Sequence, residues 1–301
     1  MHWLTSRFSI DLSRPRVMGI VNVTPDSFSD GGQHATSSAA MAHCEALLRD
    51  GADILDIGGE STRPGAPPVS LEEELARVLP VIRHAVTLGV PVSVDTYKPA
   101  VMQAALDLGA DIINDVWALR WRGDASGKTG QDVVAAHPNC GVCLMHMHRD
   151  PQTMQLAPMA GDVVLQVLSF LQQLALDLKG QGVDSARICL DPGIGFGKTV
   201  AQNFSLLARQ AEAVPQGYAV LAGWSRKSSL VAVTQTGSSH GAGLGIEQRL
   251  APSVTAAVLA VQNGAHVVRV HDVRETISGL QVLAAMQAEQ VPQAPARDLG
   301  S

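Results

Sequence analysis

Residues 17–32, VMGIVNVTPDSFSDGG, change from an apolar strand to a polar loop within a few positions. The first part is rich in valine and isoleucine, as expected of a strand that is buried on both faces. Asn22 lies near its end, where a buried strand has no use for an amide, and Pro25 then stops the strand because proline cannot donate to the ladder. Taken alone, the stretch also fits a strand followed by an ordinary solvated turn. Seven later stretches repeat the pattern of an apolar strand with a polar end, and this repetition argues against an ordinary turn.

These seven stretches are apolar, end in polar residues and are separated by segments of helical composition. They cover residues 52–58, 90–96, 110–116, 141–147, 187–198, 218–227 and 265–273. Helices are predicted over residues 34–50, 70–88, 97–108, 161–180, 201–212, 246–262 and 272–289, with a short one before His137. Ser70 and Glu73 have the spacing of a capping box at the start of the second helix.

Strands that alternate with helices predict a parallel sheet. Eight such units in about 270 residues fit a closed (β/α)8 TIM barrel, a single domain of the α/β class. The alternative is an open doubly wound sheet, but that needs two edge strands, and none of the eight is polar enough for an edge. We expect the barrel at residues 16–289, an N-terminal extension at 1–15 and a disordered tail at 290–301.

Composition argues against several classes of protein. The chain has 301 residues, a formal net charge of −6 and 46% hydrophobic residues, so it can bury a large aliphatic core. Its basic residues occur singly, which argues against a nucleic-acid or membrane surface. No stretch reaches the roughly 18 apolar residues of a membrane span, and the first residues lack the apolar core of a signal peptide. The four cysteines are typical of reduced thiols in a cytoplasmic protein.

Polar residues stand at the ends of the predicted strands, where a barrel collects its ligand-binding groups. They are Asn22, Asp56, Asp95, Asn114, Asp191, Lys227, Arg269 and His271. One buried polar residue is commonly a satisfied structural group. Eight of them at the same end of the barrel indicate a shared site.

The carboxylates and the amide suit a flat polar ring. Asp95 and Asp191 are acceptors for a heterocycle with an amidine-like edge, and Asn114 offers both a donor and an acceptor. Lys227 adds a donor for a ring nitrogen or carbonyl.

The remaining residues suit an anion and a hard cation. Arg63, Arg269 and His271 can hold phosphate oxygens, for which a guanidinium fork is well shaped. Asn22 and the acidic loop after it suit Mg²⁺, which usually keeps several waters and bridges phosphates. The set as a whole predicts a ring attached to a phosphate or a diphosphate.

Two shorter patterns do not support other sites. Residues 193–199 resemble a phosphate-binding loop, but Pro192 stands where a Walker A motif requires glycine. Cys140 and Cys143 precede two histidines, but side chains alternate along a strand, so Cys143 faces away from both. We expect no zinc there.

Eight motifs in order give a specific resemblance. They are NVTPDSFSDGG (22–32), DIGGESTRPGA (56–66), SVDTYKPAV (93–101), IINDV (112–116), LMHM (144–147), LDPGIGFGKT (190–199), SRKSSL (225–230) and RVHDV (269–273). Together they resemble the dihydropteroate synthase family of the bacterial folate pathway, over about residues 16–285.

The resemblance implies a (β/α)8 barrel, usually a homodimer, that condenses 6-hydroxymethyl-7,8-dihydropterin diphosphate with p-aminobenzoate, assisted by Mg²⁺. It implies a dissociative mechanism, in which diphosphate leaves before the amine attacks. The loops at 24–33 and 59–68 would close over the site.

The resemblance also implies roles for individual residues. The pterin site would contain Asp95, Asn114, Asp191 and Lys227. The diphosphate site would contain Thr62, Arg63, Arg269 and His271, and Asn22 would contact the magnesium. The p-aminobenzoate pocket, where sulfonamide drugs compete, would contain Phe28, Pro64, Phe196, Lys227 and Ser228. Catalysis would rest on Arg63, Asp95, Asp191 and Lys227.

A methyltetrahydrofolate:corrinoid methyltransferase would share the pterin-binding residues but would not need the anion-binding set, and a degenerate paralogue would bind pterin without turnover. Asp56 either touches the ligand or supports the second loop, residues 59–68. Residues 117–130 and 234–245 depart from the family pattern, and neither segment is expected to touch a ligand.

Overall fold

The computed structural model describes residues 1–24, 32–61, 66–123, 127–150, 153–154, 158–234, 245 and 247–290. The strands are β1 (His2–Leu4), β2 (Ser9–Asp11), β3 (Arg16–Asn22), β4 (Ile54–Gly58), β5 (Val92–Asp95), β6 (Ile112–Asp115), β7 (Gly141–Met145), β8 (Ile188–Asp191), β9 (Ala219–Ala222) and β10 (Val267–Val270). The helices are α1 (Gly32–Arg49), α2 (Leu71–Ala85), α3 (Pro99–Asp107), α4 (Gly130–Ala136), α5 (Val163–Gly180), α6 (Val200–Ala208), α7 (Gln210–Ala213), α8 (Ser228–Thr234), α9 (Leu250–Gln262) and α10 (Val273–Gln290).

Strands β3 to β10 form a closed parallel barrel in chain order, and β10 pairs with β3 to complete it. The predicted TIM barrel is therefore confirmed, and the open sheet is wrong because the set has no edge strand. These strands consist mainly of valine, isoleucine and leucine, and their side chains are buried on both faces of the sheet. This is expected of barrel strands that are covered by a ring of helices.

Local details differ from the prediction. Helix α8 was not predicted, because its seven residues are too few to show a helical period. Half of the predicted capping box is wrong: Ser70 Oγ accepts from the N–H of Glu73 at 3.2 Å, but the Glu73 carboxylate accepts from Arg77 at 2.5 Å. The guanidinium one turn further along is the stronger partner for that carboxylate. Helix α10 continues to Gln290, and residues 291–301 of the predicted tail lie outside the described residues.

The N-terminal extension closes one end of the barrel. Strands β1 and β2 form an antiparallel pair, and Trp3 is fully buried with its Nε1 donating to the carbonyl oxygen of Arg187 at 3.0 Å. Ile10 and Leu12 pack with it against the side chains inside the barrel. This end is therefore filled, and a ligand must enter from the other end.

The barrel interior is layered, because side chains two residues apart on a strand face the same way. The apolar layer above the hairpin includes Ile54, Ile112, Cys189 and Val267. Two positions further along the same four strands lie Asp56, Asn114, Asp191 and Arg269. The strand alternation thus places four of the predicted site residues inside the barrel, above an apolar floor.

The helices surround the barrel and bury its outer face against two aliphatic clusters. Within the described part of the chain, no helix combines the length and the apolar character needed to cross a membrane.

Candidate active site

Asp56 lies at the centre of the polar layer and is fully buried. Its carboxylate accepts from Ser93 Oγ at 2.6 Å, from Asn114 Nδ2 at 3.2 and 3.3 Å, and from Arg269 Nε at 2.5 Å. Asp56 therefore orients Asn114 and Arg269.

Arg269 joins Asp56 to Asp95, which accepts from its Nη2 at 2.7 Å. Burial raises the pKa of Asp95 to about 7, although Arg269 acts to lower it. Burial also acts to lower the pKa of Arg269, but the carboxylates of Asp56 and Asp95 raise it above its usual value. Arg269 therefore stays charged, and its planar fork holds two carboxylates in fixed positions.

Asp191 ends β8 and is stabilised by the turn that follows. Its Oδ1 accepts from the N–H of Gly193 at 2.7 Å. Gly193 has φ +69°, and a Cβ at this position would overlap the carbonyl oxygen of His146, so only glycine fits. Burial raises the pKa of Asp191, whereas the Gly193 N–H, Lys227 and Lys198 lower it.

Lys198 is a buried cation of the site that was not predicted. Its Nζ donates to the carbonyl oxygens of Gly193, Phe196 and His146 at 2.7, 3.2 and 3.3 Å, and lies 2.9 Å from His146 Nδ1. Burial lowers the pKa of Lys198 to about 7 and that of His146 to about 2, so the imidazole is neutral. The sequence held one signal for this residue, a lysine directly after a glycine-rich turn at a strand end.

Lys227 and Phe196, which the resemblance assigns to the p-aminobenzoate pocket, lie next to each other. Lys227 Nζ lies 4.3 Å from the centre of the Phe196 ring, within the range of a cation–π contact. Phe196 is buried beside Met145 and Met147. Ser228, the first residue of α8, directly follows Lys227 and is exposed.

His271 is tied to the loop after β9. Its Nδ1 lies 2.9 Å from Ser225 Oγ, and the same hydroxyl accepts from the His271 N–H at 3.2 Å. Arg226 adopts a left-handed φ of 60° and donates to Asp272 at 2.6 and 3.2 Å. The loops after β9 and β10 are thereby held as one unit.

The start of the second loop is anchored by charge. Lys98 Nζ contacts the carboxylate of Glu60 at 2.5 Å and also that of Glu74. Tyr97 Oη donates to Glu60 at 2.9 Å.

Asn22 lies at the end of β3 beside Gly58, and Gly58 pairs with Asp95 on the next strand.

Phe28, Thr62, Arg63 and Pro64 lie outside the described residues.

Residues 117–123 begin the first segment that departs from the family pattern. Asp115 accepts from the N–H groups of Trp117 and Leu119 at 2.8 and 2.7 Å. Trp117 and Trp121 pack beside Tyr97, with ring centres 6.4 and 5.2 Å away. This segment therefore braces the residues that anchor the second loop.

The family of pterin-binding enzymes matches this chain over residues 18–271. The dihydropteroate synthase of Escherichia coli (strain K12) is 44% identical to it over 278 residues, which cover 92% of this chain and 93% of that protein.

Solved structures resemble the whole fold. The dihydropteroate synthase of Burkholderia cenocepacia, complexed with 7,8-dihydropteroate, is 46% identical with a TM-score of 0.84, covering 96% of this chain and 97% of that one. The enzyme of Xanthomonas albilineans with 4-aminobenzoic acid is 47% identical with a TM-score of 0.84, covering 96% of this chain and 99% of that one.

Proposed function

This chain belongs to the family of pterin-binding enzymes and, within it, to the dihydropteroate synthases, and we propose that the polar layer at the open end of its barrel is the active site. The reaction condenses 6-hydroxymethyl-7,8-dihydropterin diphosphate with p-aminobenzoate to give 7,8-dihydropteroate and diphosphate. The observation that carries the assignment of the site is the buried network in which Asp56 and Arg269 fix Asn114 and Asp95 above an apolar floor.

The pterin is held at the bottom of the pocket. Asp95 and Asp191 accept from its amino and ring N–H groups, Asn114 adds an amide, and Lys227 donates to a ring acceptor. The hydrogen bonds around Asp56 and Gly193 support this role, because they orient Asn114 and Asp191 before a ligand arrives.

Cleavage comes first in the reaction. The bond between the pterin CH₂ and the diphosphate oxygen breaks, and its electron pair leaves with the diphosphate. The electron-rich dihydropterin stabilises the resulting CH₂ cation, and the carboxylates of Asp95 and Asp191 favour its positive charge. The lone pair of the p-aminobenzoate amine then forms the new C–N bond to the CH₂ carbon, and the nitrogen gives its proton to the released diphosphate or to water. No protein nucleophile is required, so the protein contributes position and electrostatics.

The diphosphate is bound by basic and hydroxyl side chains around the mouth of the barrel. His271 and Arg269 are the described members of this set, and Thr62 and Arg63 belong to it by motif. The contacts between Ser225 and His271 support the assignment, because they fix the imidazole near the end of β10.

Magnesium fits this site as a companion of the diphosphate. Asn22 offers one hard oxygen donor at the end of β3, and the described residues include no group of three or more histidine, cysteine, aspartate or glutamate side chains that could hold a metal. A Mg²⁺ ion that keeps waters and phosphate oxygens needs few protein donors. When bound, it would neutralise charge on the leaving diphosphate.

The p-aminobenzoate ring lies against Phe196, with Lys227 and Ser228 beside it and Phe28 and Pro64 completing the pocket. The contact between Lys227 and Phe196 supports this assignment, because it brings a cation and an aromatic face to one wall. A sulfonamide would compete for the same wall.

The active protein is a cytoplasmic homodimer. All four cysteines are unpaired and buried, in keeping with a reducing compartment. Val233, Leu259, Val282 and Met286 are exposed apolar residues on the three consecutive helices α8 to α10, in keeping with a covered face. Light scattering of the purified protein measures the dimer directly.

Diphosphate release with and without p-aminobenzoate tests the function. We expect the unmodified protein to release diphosphate and form dihydropteroate in equal amounts, and Lys227→Ala to lose at least about 100-fold in kcat/KM. Lys179→Ala, an exposed lysine on α5, is the matched control and should keep full activity. Pterin binding without turnover would identify a degenerate paralogue, and the absence of pterin binding would rule out the site.

A further inference from the structure

Lys198 is buried beneath the turn that joins β8 to α6, with 3% of its surface exposed. Three carbonyl oxygens and one imidazole nitrogen surround its ammonium. An ammonium group has three protons to donate, and in this position all of them have partners. Burying a charge is costly unless it is satisfied in this way, so the position of Lys198 is well determined.

Lys198 and Asp191 bind opposite sides of one residue. Gly193 accepts from Lys198 through its carbonyl oxygen at 2.7 Å and donates through its N–H to Asp191 at 2.7 Å. Its left-handed φ and its contact with the carbonyl of His146 leave no room for a side chain. Lys198 therefore fixes the group that orients the Asp191 carboxylate.

Lys198 also acts on Asp191 through its charge, which lowers the pKa of that carboxyl. Asp191 faces the cations Lys227, Lys198 and Arg269 from the neighbouring elements, and all three lower its pKa against the effect of burial. Lys198 faces Asp191, which raises its pKa, and Lys227, which lowers it, while His146 beside it is neutral. Asp191 and Lys198 thus favour the charged form of each other.

We propose that Lys198 is a positioning residue for the synthase reaction, whose buried ammonium holds the Gly193 peptide and keeps the Asp191 carboxylate ionised and aimed at the pterin. The inference rests on the proposed function, in which that carboxylate accepts hydrogen bonds from the pterin. The Lys198 ammonium is held by backbone carbonyls and His146, and it acts on the pterin through the Gly193 peptide and the Asp191 carboxylate.

The test compares Lys198→Met with Lys198→Arg and with the exposed control Lys179→Met. The dissociation constant of the pterin diphosphate is measured from pH 5 to pH 9 for each protein, together with dihydropteroate formation. We expect Lys198→Met to bind about tenfold more weakly at pH 7, with the acidic limb of its profile about one pH unit higher, because Asp191 then loses one of the cations that lower its pKa and holds its proton more tightly. Lys198→Arg keeps the charge and should keep the limb near its original pH. Asp95 is common to all variants, and neither methionine nor arginine titrates between pH 5 and pH 9, whereas Lys198 itself has a pKa of about 7. The difference between the Lys198→Met and Lys198→Arg profiles therefore reports on Asp191.

Two results would overturn the inference: an unchanged profile in Lys198→Met, or a loss of affinity that is equal at every pH, as a purely structural role predicts. If the unmodified protein forms no dihydropteroate, the proposed function itself has failed, which is a separate result. If Lys198→Met does not fold, carbon-13 NMR of the Asp191 carboxyl in the unmodified protein decides the matter, with the signal assigned by Asp191→Asn. We expect an ionised carboxylate at pH 7, and a protonated one contradicts the proposal.

Discussion

Asp56 fixes the orientation of two residues of the proposed binding site, Asn114 and Arg269. It is fully buried, and its carboxylate accepts from Ser93, Asn114 and Arg269. Two of these donors are predicted to meet the substrate, so the geometry of the pocket depends on a residue beneath it. Removing one partner of a buried ion pair is costly because the other charge stays buried without compensation.

Asp56→Asn should therefore weaken both binding and folding. We expect the pterin diphosphate to bind about 10- to 100-fold more weakly and the free energy of unfolding to fall by about 3 kcal/mol, toward the lower end for a buried pair because Asp95 still accepts from Arg269. Calorimetric titration and urea unfolding measure the two effects.

Ser93→Ala is the matched control, since it removes a single neutral donor to the same carboxylate. It should cost about 1 kcal/mol of stability and leave pterin affinity within a few-fold. Equal effects of the two substitutions would show that the charge of Asp56 is not what orients Arg269.

At the scale of elements, the turn from β8 to α6 brings a carboxylate, an aromatic ring and a buried cation to one place. Gly193, Gly195 and Gly197 in this turn all have left-handed φ angles. A Cβ at Gly193 or Gly197 would overlap His146 or His148, whereas one at Gly195 would lie 3.3 Å from the Lys227 side chain. The turn is therefore fixed both by backbone conformation and by steric fit against the end of β7.

Gly193→Ala separates these two constraints. A Cβ at Gly193 would overlap the backbone of His146, so we expect the turn to shift, with at least a tenfold loss of pterin affinity and more than 2 kcal/mol of stability. Gly217→Ala is the control, because Gly217 also has a left-handed φ of +89° but no atom lies within 4 Å of the added Cβ. It should cost about 1 kcal/mol and leave binding unchanged. Similar losses in both variants would mean that strain, and not contact with His146, governs the turn.

The strand ends were predictable from sequence because a polar residue after a run of β-branched residues marks both the strand and the direction in which it points. That pattern gave Asp95, Asn114, Asp191 and Arg269 without any knowledge of their partners. The partners themselves were not predictable. Arg269 meets Asp56 across 213 residues, and Lys198 meets His146 across 52, and such contacts depend on barrel closure and not on local spacing.

At the scale of the whole molecule, the barrel has one filled end and one polar end. The N-terminal hairpin fills the first with Trp3, Ile10 and Leu12, and the polar layer forms the second. Sequence alone gave no hint of this arrangement, because three-residue strands show too little alternation to be recognised. The apolar hairpin and the polar layer thus lie at opposite ends of one parallel barrel.

Trp3→Ala tests whether these ends are independent. Trp3 is fully buried and its Nε1 donates to the carbonyl oxygen of Arg187, so we expect a loss of about 3–5 kcal/mol in the free energy of unfolding. At a temperature where the variant remains folded, kcat/KM should stay within about twofold of the original value, because the substitution lies below the apolar layer that supports the polar one. His2→Ala, an exposed neighbour on the same strand, is the control and should change neither quantity. A loss of activity in the folded Trp3→Ala variant would show instead that the hairpin sets the positions of Asp56 and Asp191 through the core.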